Sequence, residues 1–270
     1  MIRQSRFDML AKCGYVARGI VFLLVAGLAL FSGVAPETKS ALATLLEQPL
    51  GRVWVALIGL GLLGFVAWRL AQSVADTDGH GFGAKAVAIR LALLGSAVTY
   101  LALASYALGH ALFPSGGREG AGEKGLAHWI MSQPFGFYLA IAVGLGFVGG
   151  GAITASKGIT GKFERYLRLP AASKGFLRAV CIYGLVSRGV VFAVTGMLFV
   201  YAGFRVDPEQ AGSMGDAMAW VRQLPYGAIL YFAAAAGLAA FGIYNLVEAR
   251  YRVIHTASLA TTKRSMPAIR

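Results

Sequence analysis

The sequence predicts an all-α, polytopic membrane protein, and three observations carry that prediction. Of its 270 residues, 57% are hydrophobic and only 14% are charged, with a mean hydropathy of +0.64. A soluble domain carries about 45–50% apolar and about 25% charged residues, so this chain meets lipid over much of its surface. Six stretches are apolar enough to span a bilayer, and a pattern of two spans joined by a proline turn recurs three times.

The six stretches are roughly Gly14–Phe31, Val53–Ala71, Ile89–Leu108, Phe135–Ala155, Ala179–Ala202 and Tyr226–Val247. At about 1.5 Å rise per residue, each covers a hydrocarbon core about 30 Å thick. Backbone groups in lipid must be satisfied within the segment, so each is expected to be a helix. The first stretch is as long as a spanning helix and lacks a small-residue cleavage site, so no cleavable signal peptide is expected.

Charge sets the expected orientation. With the N-terminus placed in the cytoplasm, all but six of the 25 lysines and arginines fall on the inner face or the adjoining helix ends. The six outside are Lys39, Arg52, Arg118, Lys124, Arg205 and Arg222, whereas more than half of the 12 acids lie outside. This asymmetry is the positive-inside pattern and predicts both termini in the cytoplasm. The net charge of +13 then reports orientation and attraction to anionic headgroups. Nucleic acid is not an expected partner, because no basic domain interleaved with aromatics lies outside the membrane. Cys13 and Cys181, the only cysteines, fall near the same inner face and read as free thiols.

The repeats define the organisation. Gly14-Tyr15-Val16-Ala17-Arg18-Gly19-Ile20-Val21-Phe22 returns as Gly184-Leu185-Val186-Ser187-Arg188-Gly189-Val190-Val191-Phe192. Gln48-Pro49-Leu50-Gly51, Gln133-Pro134-Phe135-Gly136 and Leu224-Pro225-Tyr226-Gly227 open the even-numbered spans. Proline suits a helix's first turn, where its missing N–H would be unpaired anyway. Before each lies a semi-apolar stretch, Ala41–Leu46, Leu126–Met131 or Ala217–Val221, read as a short amphipathic helix on the outer leaflet. Trp129 and Trp220 are expected interfacial anchors there. Aligning Tyr100 with Phe22 and Phe192 places Ser96-Ala97 opposite the two Arg-Gly pairs. Three tandem helical hairpins follow, at 1–82, 83–170 and 171–270, in one bundle that closes on a pseudo-threefold axis.

These phrases, with Gly61-Leu62-Leu63-Gly64-Phe65-Val66-Ala67-Trp68-Arg69-Leu70, resemble the bacterial membrane family known as domain of unknown function 1206. The resemblance covers nearly the whole chain and implies tandem two-helix repeats in a bacterial inner membrane. It supplies no activity. The sequence departs from the pattern at Ser96-Ala97, at Leu224 in place of glutamine, and at Asn245 where the first repeat has Arg69.

The chemical signals are few. Gly59-Leu60-Gly61-Leu62-Leu63-Gly64 and Gly144-Leu145-Gly146-Phe147-Val148-Gly149 spell a dinucleotide fingerprint, but that motif needs a strand and a phosphate-facing turn. Mid-helix, these glycines read as close helix packing, as does the Gly146/Gly150 spacing. Arg18 and Arg188 are costly in an apolar run. They admit three readings: snorkelling anchors one turn inside the inner helix ends, structural pairs with Asn245, Glu248 or Asp76, or ligands for an anionic headgroup or partner. His110 and His128 share one hairpin without a third ligand, so neither a metal nor a cofactor is expected. Ser115 and Ser132 have no activating arrangement near them. No acid falls mid-span, which argues against ion-coupled transport. Thr99, Tyr100, Ser105, Thr195 and Tyr231 are the mid-membrane hydroxyls, expected to bond neighbouring helices.

The expected function is a non-enzymatic scaffold, regulatory or lipid-binding bundle. Its partners would be membrane lipids, with a membrane protein or a second copy as further contacts. The alternative is a small channel or carrier with a pore on the pseudo-threefold axis, which a dry, Leu/Phe-filled axis would exclude. A lipid-modifying enzyme would need His128, Glu123 or Asp216 to converge.

Overall fold

The structure, a computed structural model, describes residues 2–32, 38–75, 83–113, 132–133, 135–167, 170, 173–205 and 214–252. Six long helices dominate it: α1 (Ile2–Ser32), α3 (Gly51–Ala75), α4 (Ala84–Leu112), α5 (Gly136–Ile159), α6 (Lys174–Arg205) and α8 (Gly227–Tyr251). All six are long and apolar enough to cross a membrane. Two short helices, α2 (Thr38–Leu46) and α7 (Met214–Arg222), precede the proline turns of the outer repeats. They occupy two of the expected interfacial stretches, and the third, with Trp129, lies outside the described residues. A single turn of 3-10 helix (Lys162–Tyr166) follows α5, after Gly161 ends the helix in the left-handed conformation at φ 66°. Leu167 then meets Arg252 in an isolated antiparallel bridge.

The turn that opens α3, α5 and α8 is the same each time, but the proline does not sit in the helix as the sequence suggested. Pro49 and Pro225 each stand two residues ahead of the helix start; Pro134 lies outside the described residues. The residue between turns left-handed: Leu50 at φ 59°, Phe135 and Tyr226 at 61°. The Gly51, Gly136 and Gly227 amides donate to the carbonyls of Gln48, Gln133 and Leu224 at 2.8, 2.8 and 2.7 Å. That is the pattern of a type II turn, which ordinarily takes glycine at the left-handed position. A bulky residue there costs about 1–3 kcal/mol, and all three side chains are exposed at the far end of the bundle. Glycine comes one residue later because a Cβ on Gly51 or Gly227 would strike the carbonyl oxygen of Leu45 or Arg222.

Packing follows the hairpins of the first and third repeats but not that of the middle one. Helix α1 packs on α3 and α8, α3 on α4, and α6 on α8 and α5. Going round, the order is α4, α3, α1, α8, α6, α5, which is the order of a pseudo-threefold ring. Five of its six neighbour pairs form. The sixth, α4 with α5, does not pack, although these are the two helices of the middle repeat. Accordingly the spans of α4 and α5 are only 17% and 22% buried, against 39% or more for the other four.

Glycines set the close pairs. A Cβ on Gly144 would lie 2.6 Å from the Gly196 carbonyl oxygen, and one on Gly196 would lie 2.5 Å from that of Gly144. Gly151 and Gly189 block each other in the same way, at 2.5 and 2.6 Å. The α1–α8 contact repeats this device: Gly19 and Gly242 face each other at 2.9 and 3.0 Å, and they occupy the repeat positions of Gly189 and Gly151. Backbones this close gain dispersion that larger side chains would forfeit. Gly59 and Gly61 also pack, against Leu108 and Ala17, so these two fingerprint glycines, like Gly144, are structural. Gly146, Gly149 and Gly150 differ, since a Cβ on any of them would meet nothing within 4 Å. The expected Gly146/Gly150 packing pair therefore points away from every described helix.

Gly151→Leu is expected to destabilise the protein by about 1–3 kcal/mol through overpacking, whereas Gly146→Leu should stay within about 0.5 kcal/mol. Thermal melting of both variants in one detergent compares them.

Candidate functional site

Arg18 and Arg188 are near the middle of their helices rather than at the ends. Helix α1 begins sixteen residues before Arg18, about 24 Å away, and α6 begins about 21 Å before Arg188. Both side chains turn inward. Arg18 is 4% exposed, and its Nε donates to Tyr100 Oη at 2.7 Å. Its Cζ lies 5.0 Å from the ring centres of Phe65 and Phe241, 5.3 Å from Tyr100 and 5.8 Å from Phe22. The Cζ of Arg188 lies 4.1 Å from Phe192, 4.5 Å from Phe241 and 5.7 Å from Phe22. The two guanidiniums thus share Phe22 and Phe241, whose rings meet edge-to-face at 4.8 Å.

A third cation joins them. Arg69, four residues after Phe65 on α3, holds its Cζ 4.7 Å from that ring and donates from Nη1 to Gln72 Oε1 at 3.0 Å. Phe65 is also the ring under Arg18, and it stacks edge-on with Tyr100 at 4.8 Å. Ring faces attract cations, and each such contact contributes about 0.5–2 kcal/mol. They do not supply hydrogen bonds. The Nε atoms of Arg69 and Arg188 are buried without a hydrogen-bond partner.

Repeat symmetry explains the construction. Phe65 packs on Gly14 and Phe241 on Gly184, so each ring comes to rest one turn below an arginine. Phe22 and Phe192 follow their arginines by four residues on the same helix face. The middle repeat contributes differently: Tyr100 stands where Phe22 and Phe192 do, and its hydroxyl reaches Arg18. One site is therefore assembled from all three repeats.

The chain belongs to the DUF1206 family. The model of that family, described as Domain of Unknown Function (DUF1206), matches residues 13–76, 91–161 and 183–252. The chain is also similar to "Uncharacterized protein YxxB" of Bacillus subtilis (strain 168), 28% identical over 251 residues, 89% of this chain and 90% of that protein. No solved structure matches the chain.

Within this DUF1206 chain, the acids stand apart from the arginine cluster. Glu248, a candidate partner of Arg18 and Arg188, instead bonds Arg252 at 2.5 Å, one turn along α8. Arg252 also lies over the rings of Tyr15 and Trp68, and Trp68 Nε1 donates to Tyr15 Oη at 3.2 Å. This neutral pair closes the end of the bundle where α1 starts and α8 finishes. Asn245 is fully buried and donates from Nδ2 to the Phe241 carbonyl of its own helix at 2.6 Å. Its Oδ1 has no hydrogen-bond partner. Glu164 bonds Arg178 at 2.7 Å and approaches Lys174 at 3.8 Å, both partly exposed. Among the described residues, no carboxylate comes within ion-pair reach of Arg18, Arg69 or Arg188. Asp76, His128, Glu123 and Ser115 lie outside the described residues.

The remaining expectations distribute simply. Trp220 is exposed on α7. His110 bonds the Tyr106 carbonyl of its own helix at 3.0 Å. Cys13 and Cys181 are free. Tyr231 bonds a neighbouring helix, at Ala29, whereas Thr99 bonds only its own, and buried Thr195 Oγ1 has no partner. Arg69 was not singled out beforehand because it closes an apolar run, where a basic residue ordinarily marks a membrane edge. Its repeat position opposite Asn245 was the available signal.

Tyr100→Phe should cost about 1–3 kcal/mol, since it leaves the Arg18 Nε unsatisfied. Glu248→Gln, which leaves Arg252 without its carboxylate, should cost about 3–5 kcal/mol. Melting temperatures in detergent check both, with Glu248→Gln the lower.

Proposed function

We propose that this protein is a non-enzymatic, multi-pass protein of the bacterial inner (cytoplasmic) membrane that binds the anionic headgroup of a membrane lipid at Arg18, Arg69 and Arg188. The observation that carries the reading is the convergence of three inward guanidiniums with no carboxylate in reach among the described residues. A buried charge is costly unless paired. Here the described residues offer rings and two neutral oxygens, and Glu248 is taken by Arg252. Phosphate oxygens match the planar fork of arginine.

The lipid is the favoured source of that anion because the cluster lies well inside the apolar spans. The distribution of lysine and arginine supports termini in the cytoplasm, and the similarity to a Bacillus protein supports a bacterial membrane. An axial pore is not favoured, since Phe22, Phe65, Tyr100 and Phe241 pack ring against ring at the level of the arginines. The exposed faces of α4 and α5 leave room for a membrane protein partner or a second copy, through which a scaffold or regulatory role would be read out.

Native mass spectrometry of the purified full-length protein tests the reading. Anionic lipid should remain bound through detergent exchange, and the double variant Arg18→Lys/Arg188→Lys should retain about tenfold less, because an ammonium cannot replace a bidentate guanidinium. Equal retention by the double variant, or retention of zwitterionic lipid alone, would overturn it.

A further inference from the structure

We infer that the lipid reaches the arginine cluster sideways, through the open seam between α4 and α5, and that its headgroup is a phosphomonoester or pyrophosphate rather than a phosphodiester. The inference rests on the anion-binding reading above and deepens it.

The seam comes from a difference among the repeats. Repeats 1 and 3 carry Phe65 and Phe241 at one buried position, where the backbone of each rests against a glycine, Gly14 or Gly184, of its own repeat's first helix and its ring lies beside the arginines. The corresponding pair in the middle repeat is Gly150 and Ala92. A Cβ on Gly150 would meet nothing within 4 Å, and Ala92 is exposed. Where the other two hairpins close backbone to backbone on that glycine, with a ring beside the arginines, the described residues of this one make no such contact. The opening adjoins the cluster, because Tyr100 stands two turns beyond Ala92 on α4 and its hydroxyl touches Arg18. A ligand with acyl chains can place its phosphate on the arginines through such a gap while the chains stay in the bilayer. A ligand coming from the water at the other route, beside α1 and α8, meets the Glu248–Arg252 pair and the Tyr15–Trp68 contact instead.

Charge selects the headgroup. Arg18 and Arg188 lie 5.0 and 4.5 Å from one ring centre, and Arg18 and Arg69 lie 5.0 and 4.7 Å from another. Three positive charges thus crowd two adjacent rings, with no acid between them among the described residues. A phosphodiester brings one negative charge. A phosphomonoester brings about −1.5 to −2 near neutral pH and three acceptor oxygens, enough for more than one fork. In a low-dielectric interior the uncompensated remainder is what costs most, so the ligand with more charge is preferred.

The test uses the full-length protein in detergent, titrated with phosphatidic acid, phosphatidylglycerol or inorganic pyrophosphate and read by native mass spectrometry. Phosphatidic acid should bind about tenfold or more tightly than phosphatidylglycerol, and pyrophosphate should compete weakly, lacking acyl chains. Gly150→Phe, which installs the ring found in the other two repeats, should weaken phosphatidic acid about tenfold without touching an arginine. Arg69→Gln should narrow the preference for phosphatidic acid over phosphatidylglycerol. Equal affinity for the two lipids overturns the headgroup assignment, while anion binding as such stands. Unchanged binding by a folded Gly150→Phe overturns the lateral route. Pyrophosphate binding as tightly as phosphatidic acid overturns the lipid as the source. Failure of the wild type to bind any anion removes the underlying reading as well. Should Gly150→Phe not fold, Gly150→Leu and the wild-type lipid comparison still decide the matter.

Discussion

A guanidinium removed from water needs oxygen acceptors, a counter-charge or the face of a ring, and the rest of this bundle is arranged around three that receive mainly rings. Phe22, Phe65, Phe241 and Tyr100 surround Arg18 from four helices. Those contacts hold α1, α3, α4 and α8 to one another at the level of the arginine. Arg188 draws α6 into the same group through Phe22 and Phe241. Helix α5 stands further out, touching the group only through Phe147, whose ring meets Phe192 at 5.4 Å, and packing on α6 among the long helices. The polar centre therefore sets which helices belong to the core and which one lies at its margin.

Rings can reach that centre only because backbones approach so closely elsewhere. Gly14 and Gly184 let Phe65 and Phe241 come in beneath the arginines, and the Gly19–Gly242 contact brings α1 and α8 together beside them. The same glycine contact at Gly151–Gly189 secures α5 without any contribution to the arginines. The glycine pair occurs at two of the three repeat interfaces, with Ala97 and Val66 at the equivalent positions of the third. Repeats 1 and 3 kept the cation and its ring. The middle repeat exchanged them for Ser96 and Gly150 and contributed a tyrosine hydroxyl instead. The copy without arginine thus supplies an acceptor to the arginine of another repeat.

Much of this was legible in the residues. The six spans, the short helices before two of the proline turns, and the phrase around Arg18 and Arg188 all follow from hydropathy and repetition, which are local properties. The turn was misread in detail. Proline's tolerance of a helix's first turn is a statement about one residue, whereas the observed turn depends on the left-handed residue after it and on carbonyls of the preceding helix. The arginines are expected one turn inside the helix ends, whereas the helices run further than the apolar stretches do: α1 extends back to Ile2. Their expected partners were also misassigned, since Glu248 lies one turn from Arg252 and bonds it within its own helix.

The sequence by itself determined the class, the number of spans and the positions where charge enters an apolar run, because each depends only on residue type and order along the chain. Tertiary structure decided which helices are neighbours, and with that the meaning of the arginines. Tandem repetition is equally compatible with three closed hairpins. Whether Gly150 leaves a gap or fills one depends on what stands opposite it, and that is fixed by the packing of glycines and rings on other helices.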